Sequence, residues 1–272
     1  MSPRASFRRP GLALLLAAFS LVACAQAQKT PKAQKAPAAP SAYEPSVGQE
    51  GKDVVWVPTP QGLVDKMLDM AKVIQRDYVI DLGSGDGRTV ITAAKRGARA
   101  HGIEYNPDMV ELSRRNAEKE GVSDRATFAK ADLFESDFSG ASVITMFLLP
   151  EINLKLRPQI LKLKPGTRIV SNTFTMGDWK EDESATISSR NGCNSSWCTA
   201  LLWIVPAQVA GTYNVQQGEV VLKQEYQMLS GSLRTAGTTY ALSGRVRGEE
   251  ISFRAGGREY RGRTNGTQLE LR

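Results

Sequence analysis

The sequence predicts an α/β domain built on a parallel sheet, followed by a small antiparallel β domain. Strand-like and helix-like segments alternate between residues 78 and 176, a glycine-rich turn follows the first strand, and the pattern changes near residue 209. Short apolar strands separated by helices are typical of a sheet that is covered on both faces. We therefore expect the first domain over 51–207 and the second over 208–272.

The elements of the first domain follow from apolar runs and from helix capping. Strands are predicted at 78–82, 100–105, 126–131, 141–149 and 167–174, and helices at 88–96, 107–120 and 151–163. The second helix begins clearly, because Asn106 can cap it, Pro107 suits its first position and Asp108 favours its positive end. Gly121 can end it.

The C-terminal segment has glycines between runs that alternate apolar and polar residues. GRVRGEEISF (244–253) and GRTNGTQLEL (262–271) share one pattern, and 220–229 alternates for most of its length. This predicts a small antiparallel meander with glycine at the turns. Such a domain can be a binding module or only a packing and solubility appendage, and the sequence leaves both interpretations open.

The N-terminus has the features of a bacterial export signal. Basic residues at positions 4, 8 and 9 precede an apolar run over 11–23, which is too short for a comfortable membrane span. The alternative is a buried N-terminal helix. Residues 25–50 are rich in Ala, Gln, Lys and Pro, so we expect a leader over 1–24 and a disordered tether over 25–50.

Two cleavage sites compete in this leader. Residues 21–24 (LVAC) resemble a lipobox, in which Cys24 becomes lipidated and starts the mature chain, whereas residues 25–27 (AQA) suit a signal peptidase. We favour the lipoprotein, because a cysteine is unusual in a signal peptide without that role. Either way we expect a protein of the cell envelope, periplasmic or lipid-anchored, that meets the membrane only through the lipid.

The distribution of charge argues against a nucleic-acid surface. The whole chain carries +7, but residues 1–40 hold six Lys and Arg and no acidic residue. The remainder has 29 basic and 28 acidic residues and is close to neutral. We therefore expect no nucleic-acid partner.

Cys193 and Cys198 form an even pair once Cys24 is set aside. Turn-forming residues surround them, so the two can face each other across a hairpin and form a disulfide. The alternatives are two free thiols or half of a metal site. His101, the single histidine of the chain, lies far away in sequence inside a predicted strand, where we expect it to pack, and we expect no metal.

The first strand ends in Asp81 and runs into a turn with glycine at every second position. Gly83, Gly85 and Gly87 have a G-x-G-x-G spacing, with Ser84 between the first two, and this spacing differs from both the P-loop and the dinucleotide fingerprint. A carboxylate at the strand end would repel a pyrophosphate. It suits a ligand that carries a cation and hydroxyls and lies against bare main chain.

The next two strands also end in acidic residues. Glu104 can accept hydrogen bonds from two ribose hydroxyls, and Asp132 lies where it can meet an adenine amino group. Open α/β sheets bind ligands in the crevice at the carboxyl ends of their strands. The three carboxylates together therefore predict one nucleoside-binding crevice.

These motifs resemble a known family. DLGSGDG, GIE and ADLF, within 54–206, resemble the Rossmann-like, seven-strand methyltransferases that depend on S-adenosylmethionine (SAM). The segments 56–60, 141–158, 163–174 and 177–179 are similar to bacterial relatives of the lysine methyltransferases that modify the ATP synthase c-subunit. The resemblance implies SAM as cosubstrate, a protein substrate, and two antiparallel strands near 184–190 and 200–206 with the cysteine pair between them. The implied SAM contacts are Thr59, Asp81, Gly83, Ser84, Gly85, Gly87, Glu104 and Asp132.

Methyl transfer needs alignment of the reacting groups and exclusion of water, and no covalently modified residue. Pro150, through its carbonyl, and Glu151 are candidates to position an acceptor amine; Glu151 also suits the first turn of a helix. Trp56 and Trp179 can wall the acceptor site or only pack loops. The alternative function is a non-catalytic envelope binding protein on the same fold.

Overall fold

The computed structural model describes residues 43–272, so the predicted leader, the lipidation of Cys24 and most of the predicted tether lie outside the described residues. Gly48 and Gln49, which the sequence assigned to the tether, pair with Trp56 through the main chain: Gly48 N donates to Trp56 O at 2.8 Å and Trp56 N to Gln49 O at 2.9 Å. Amino-acid composition does not predict this pairing, because the hydrogen bonds join main-chain groups that every residue has. Among the residues described, no helix is long and apolar enough to cross a bilayer.

The first sheet has seven strands with four helices around it. The strands are β1 Tyr78–Leu82, β2 Arg99–Glu104, β3 Ala126–Lys130, β4 Val143–Met146, β5 Arg168–Asn172, β6 Glu183–Thr186 and β7 Thr199–Ile204. The helices are α1 Gln61–Met70, α2 Arg88–Lys95, α3 Pro107–Lys119 and α4 Pro150–Ile160. The strand order is β3-β2-β1-β4-β5-β7-β6, which confirms the predicted fold class.

Strand direction decides which ends meet at the site. Strands β1 to β5 run parallel to one another, whereas β7 runs antiparallel to both β5 and β6. Asn172 at the end of β5 pairs with Ala200 near the start of β7. The connection that enters β7 therefore lies at the same edge as the carboxyl ends of the parallel strands.

The structure differs from the prediction at two elements. Strand β4 stops at Met146 and the chain leaves the sheet before α4, whereas the sequence predicted a strand over 141–149. Helix α1 was not predicted, because Pro60 precedes it and no side chain caps its first turn. Its buried residues Leu63, Val64, Met67 and Leu68 do have helical spacing, which was the available signal.

Apolar clusters cover both faces of this sheet. One joins α1 and α2 to the sheet, and the other joins α4 to it and includes the fully buried Trp179 and Trp203. Trp203 Nε1 donates to the carbonyl of Trp179 at 2.8 Å. Burial of a large apolar side chain contributes about 1.5–3 kcal/mol, so these clusters hold the strand ends in place.

The second sheet is an antiparallel meander in which every strand pairs with its neighbour in sequence. Its strands are β8 Gly211–Val215, β9 Gly218–Glu225, β10 Met228–Thr235, β11 Thr238–Arg247, β12 Glu250–Ala255, β13 Arg258–Thr264 and β14 Leu269–Leu271. The Tyr226 ring stacks on Trp179 at 6.0 Å, and Gln227 Nε2 donates to the carbonyl of Lys180 at 2.7 Å. The meander therefore packs against the segment that follows β5.

Candidate active site

A cavity of about 420 Å³ opens at the carboxyl ends of the parallel strands. Pockets of this size bind small molecules. The structure brings seven of the eight implied SAM contacts to its wall. The wall includes Thr59, Asp81, Gly83, Ser84, Gly85, Asp86, Glu104 and Asp132 together with Trp56. Gly87, Pro150 and Glu151 are not among its lining residues.

The glycine turn has the left-handed backbone that glycine favours, with φ of 77° at Gly83, 54° at Gly85 and 82° at Gly87. A Cβ on Gly85 would lie 2.6 Å from Nε1 of Trp56, so the indole packs directly on the turn. A Cβ on Gly87 would instead meet the Phe128 ring at 2.8 Å. The missing Cβ of Gly87 therefore allows α2 to pack close to β3, and its contact with the ligand stays a prediction.

Ser84 lies under the turn and against β2. A Cβ on Gly102 would lie 2.5 Å from Ser84 Oγ, so the turn can pack this closely on β2 only because residue 102 is a glycine. Within residues 43–272 the buried Ser84 hydroxyl has no hydrogen-bond partner. A buried polar atom without a partner is uncommon, and at a cavity it is available to a ligand.

Asp81 is a buried carboxyl at the end of β1, only 6% exposed. Thr145 Oγ1 donates to its Oδ1 at 2.6 Å. Burial raises the pKa of Asp81 to about 7; the hydrogen bond from Thr145 opposes this rise, and the charges of Glu104 and Asp86 add to it. A ligand cation would favour the charged form of this group.

Glu104 ties the glycine turn to the next helix. Its Oε2 accepts from Gly85 N at 2.9 Å and its Oε1 accepts from Asn106 N at 2.9 Å. Each carboxylate oxygen can accept a second hydrogen bond. Glu104 can therefore hold the turn and still accept from ligand hydroxyls, the role that the sequence predicted for it toward a ribose.

Asp132 follows β3, lines the cavity and forms an ion pair with Lys52. The hydrogen bond from Lys52 lowers the pKa of Asp132 below its usual value. The Lys52 ammonium also lies over the Tyr105 ring, 4.9 Å from its centroid. No sequence pattern marks Lys52, because 80 residues separate it from Asp132.

Aromatic residues line the cavity at the ends of β4 and β5 and at the entry to β7. Phe147 follows β4, Phe174 follows β5, and Trp197 precedes β7; all three line the cavity. Sequence reasoning missed all three. The sequence candidates Pro150 and Glu151 begin α4, where Glu151 is exposed on the first turn, and their role toward an acceptor stays a prediction.

The two candidate tryptophans have different places in the structure. Trp56 lines the cavity, where it packs on the glycine turn. Trp179 is fully buried in the core beside α4. Of these two tryptophans, Trp56 is therefore the one that can meet a ligand in the cavity.

The structure joins Cys193 and Cys198 in a disulfide, with their Cα atoms 5.8 Å apart. Across the described part of the chain, no group of three or more His, Cys, Asp and Glu could hold a metal ion. His101 lies on β2 away from the cavity wall, with Nδ1 2.8 Å from Thr127 Oγ1. The histidine therefore joins β2 to β3 and takes no part in the cavity.

Together, the strand order, the glycine turn and the acidic strand ends define a SAM-dependent methyltransferase of the seven-strand class. A profile of the ANTKMT methyltransferase domain matches residues 81–183. A protein-lysine N-methyltransferase of Saccharolobus islandicus is 46% identical over 141 residues, which cover 51% of this chain and 88% of the relative. The chain therefore belongs to the methyltransferase family of these proteins.

The chain is also similar to a human lysine methyltransferase and to a solved methyltransferase structure. The human lysine N-methyltransferase of the ATP synthase c-subunit is 35% identical over 47% of this chain, and the match covers 54% of that relative's length. A crystal structure of an RNA methyltransferase from Salinibacter ruber with S-adenosyl-L-homocysteine has 44% identity and a TM-score of 0.51, covering 56% of this chain and 96% of that one. SAM is thus the cosubstrate of this protein. The names of the relatives give different methyl acceptors.

Proposed function

We propose that the protein transfers the methyl group of SAM to the amine of a lysine side chain in a protein. The observation that carries this proposal is the division of one cavity into two halves. In the acidic half, Asp81, Glu104 and Asp132 lie at the ends of β1, β2 and β3. In the aromatic half, Phe147, Phe174 and Trp197 lie at the ends of β4 and β5 and at the entry to β7. The relative from Saccharolobus islandicus, named a protein-lysine N-methyltransferase, supports the same acceptor. The alternative of a non-catalytic binding protein has no support from these relatives, which are named as enzymes.

The acidic half suits the donor. SAM carries an ammonium, a sulfonium, two ribose hydroxyls and an adenine amino group, and all of these attract or donate to carboxylates. Asp81 would face the cation, Glu104 the ribose and Asp132 the adenine, with Gly83 and Gly85 allowing the main chain to approach. When bound, SAM supplies an already activated methyl group.

The aromatic half suits an amine that must lose its proton before it reacts. A lysine ammonium has an ordinary pKa near 10.4, and removal from water lowers it. In this proposal the chain aligns the amine and excludes water, and the proton leaves through the mouth of the cavity. No side chain forms a covalent bond with the substrate.

The name of the Salinibacter ruber structure makes RNA the competing acceptor. The near-neutral charge of residues 41–272, with 29 basic and 28 acidic residues, favours a protein. The disulfide, which is rare in reducing compartments, supports our further proposal that the protein works in the cell envelope after export.

Calorimetry and labelled methyl transfer test this function. Purified protein should bind SAM and S-adenosylhomocysteine, and Glu104→Ala should lose this binding while Glu118→Ala, an exposed carboxylate on α3, should keep it. With radiolabelled SAM and an envelope extract, we expect label in protein, released as methyl-lysine by acid hydrolysis. Label in RNA alone would contradict the proposal.

A further inference from the structure

Three aromatic side chains from separate elements meet at one half of the cavity. They come from the ends of β4 and β5 and from the connection into β7, which are neighbours in the sheet. The acidic residues come from β1, β2 and β3, which form the other half. The order of the strands therefore separates the two groups along one edge.

The contacts among the three rings make one continuous aromatic wall. Phe147 stacks on Phe174 with centroids 5.8 Å apart, and the Trp197 ring meets Phe147 edge-on at 6.0 Å. All three side chains are half-buried and keep surface toward the cavity. A core cluster would bury such rings fully, so this one is arranged to meet a ligand.

The main chain places Phe174 in this wall at a cost. Thr173 has a φ of 61°, which is unfavourable for a β-branched residue and turns the chain sharply after β5. The Phe174 carbonyl accepts from Ser171 Oγ at 2.7 Å and from Asn153 Nδ2 at 3.2 Å. Such strain at a cavity edge is typical of a functional position.

Trp197 is placed by the disulfide. It lies inside the short loop that Cys193 and Cys198 close, and both cysteines are buried against the α1 face of the sheet. Trp197 N donates to Ser195 Oγ at 3.2 Å. Because the loop is anchored at both ends, the direction of the indole is fixed toward Phe147.

We propose that Phe147, Phe174 and Trp197 bind the ammonium group of the acceptor as it gains methyl groups, and that the Cys193–Cys198 disulfide is the positioning device for Trp197. The inference rests on the proposed function and deepens it. Aromatic faces attract cations, and methylated ammonium groups suit aromatic walls because they carry charge with little hydration. The wall would hold a partly methylated lysine for another round, so the expected product is trimethyl-lysine.

Each methyl transfer follows the same steps. The amine lone pair forms a bond to the methyl carbon, and the carbon–sulfur bond breaks with its electron pair going to sulfur. In the first two rounds the new ammonium releases one proton to water. After the third it has none to release and remains a cation against the aromatic wall.

A binding experiment tests the wall without turnover. The probes are Nα-acetyl-Nε-trimethyl-lysine amide and its uncharged tert-butyl analogue, titrated into protein saturated with S-adenosylhomocysteine. We expect the cation to bind about tenfold more tightly. Trp197→Leu should abolish the difference, Trp197→Phe should keep part of it, and Tyr240→Leu in the second sheet should leave it unchanged. Equal binding of the two probes, or no measurable binding of the cation, would overturn the inference.

Kinetics test the positioning role of the disulfide. Cys193→Ser with Cys198→Ser should raise the KM for the protein acceptor about tenfold and shift products toward monomethyl-lysine, with the Kd for SAM unchanged as the check on folding. In a Trp197→Leu background the same cysteine changes should have no further effect. Unchanged acceptor KM and products in Trp197→Leu would overturn the inference and leave the proposed function standing. If wild-type protein binds SAM but methylates no protein, the proposed function fails, and the probe titration alone decides about the wall.

Discussion

Replacement of Asp81 by asparagine should stabilise the protein in alkaline solution. The pKa of Asp81 rises from 3.8 to about 7 on folding, chiefly through burial. A raised carboxyl pKa contributes stability that is present below the unfolded pKa and is lost as pH rises through the folded pKa. Each pKa unit corresponds to 1.36 kcal/mol, so ionised Asp81 costs the folded state roughly 4 kcal/mol above pH 7. An asparagine would avoid this cost, and its side-chain oxygen could still accept from Thr145.

The assay is urea unfolding of the wild type and Asp81→Asn between about pH 5.5 and 8. Across this window the stability difference in favour of the variant should grow by about 2 kcal/mol, because the unfolded carboxyl is already ionised while the folded one keeps its proton until about pH 7. Glu118→Gln controls for the loss of an exposed carboxylate and should run parallel to the wild type. Parallel curves for Asp81→Asn as well would refute the reasoning. The same variant should lose affinity for SAM, and wild-type affinity for SAM should rise with pH through the pKa of Asp81.

Three further predictions concern the turn, the sheet and the disulfide. Glu104→Gln should weaken SAM binding about 10- to 100-fold in calorimetry, because hydrogen bonds to a charged group contribute about 1.5–3 kcal/mol. Gly102→Ala should lower the free energy of unfolding by about 1–3 kcal/mol and weaken SAM binding, since its Cβ would lie 2.5 Å from Ser84 Oγ. Gly140→Ala, where the nearest atoms lie 3.9 Å away, is the matched control, and equal loss in both would count against the packing argument. Reduction of the disulfide, which spans a sequence separation of 5, should cost at most about 2 kcal/mol in thermal or urea unfolding, and a larger loss would indicate a wider role in the core.

The acidic half of the cavity could be predicted from sequence, because its residues lie in short segments whose structure follows from neighbouring residues. A strand end, a glycine turn and a helix start are adjacent in the chain, so spacing alone placed Asp81 and Gly83. Glu104 followed from the next strand by the same rule. The C-terminal meander was equally local, since each strand pairs with the next.

The rest of the site depends on contacts that no local pattern encodes. Lys52 pairs with Asp132, which lies 80 residues away in sequence. Trp56 packs on Gly85, and its main chain pairs with a segment that composition assigned to a tether. Helix α1 lacks a capping residue, so only its apolar spacing marked it. The packing of Gly87 against the Phe128 ring was also outside any local pattern, because that ring belongs to β3.

The reversed direction of β7 explains how the disulfide can act on a methyl-transfer site. In a fully parallel sheet the segment that enters a strand lies at the amino edge, remote from the ligand crevice. Because β7 is antiparallel to β5, its entry meets the carboxyl edge, and the pairing of Asn172 with Ala200 fixes the distance between them. The cysteine loop is thereby brought beside Phe147, so a change in the redox state of the disulfide would alter the aromatic half of the cavity and leave the carboxylates of the acidic half in place.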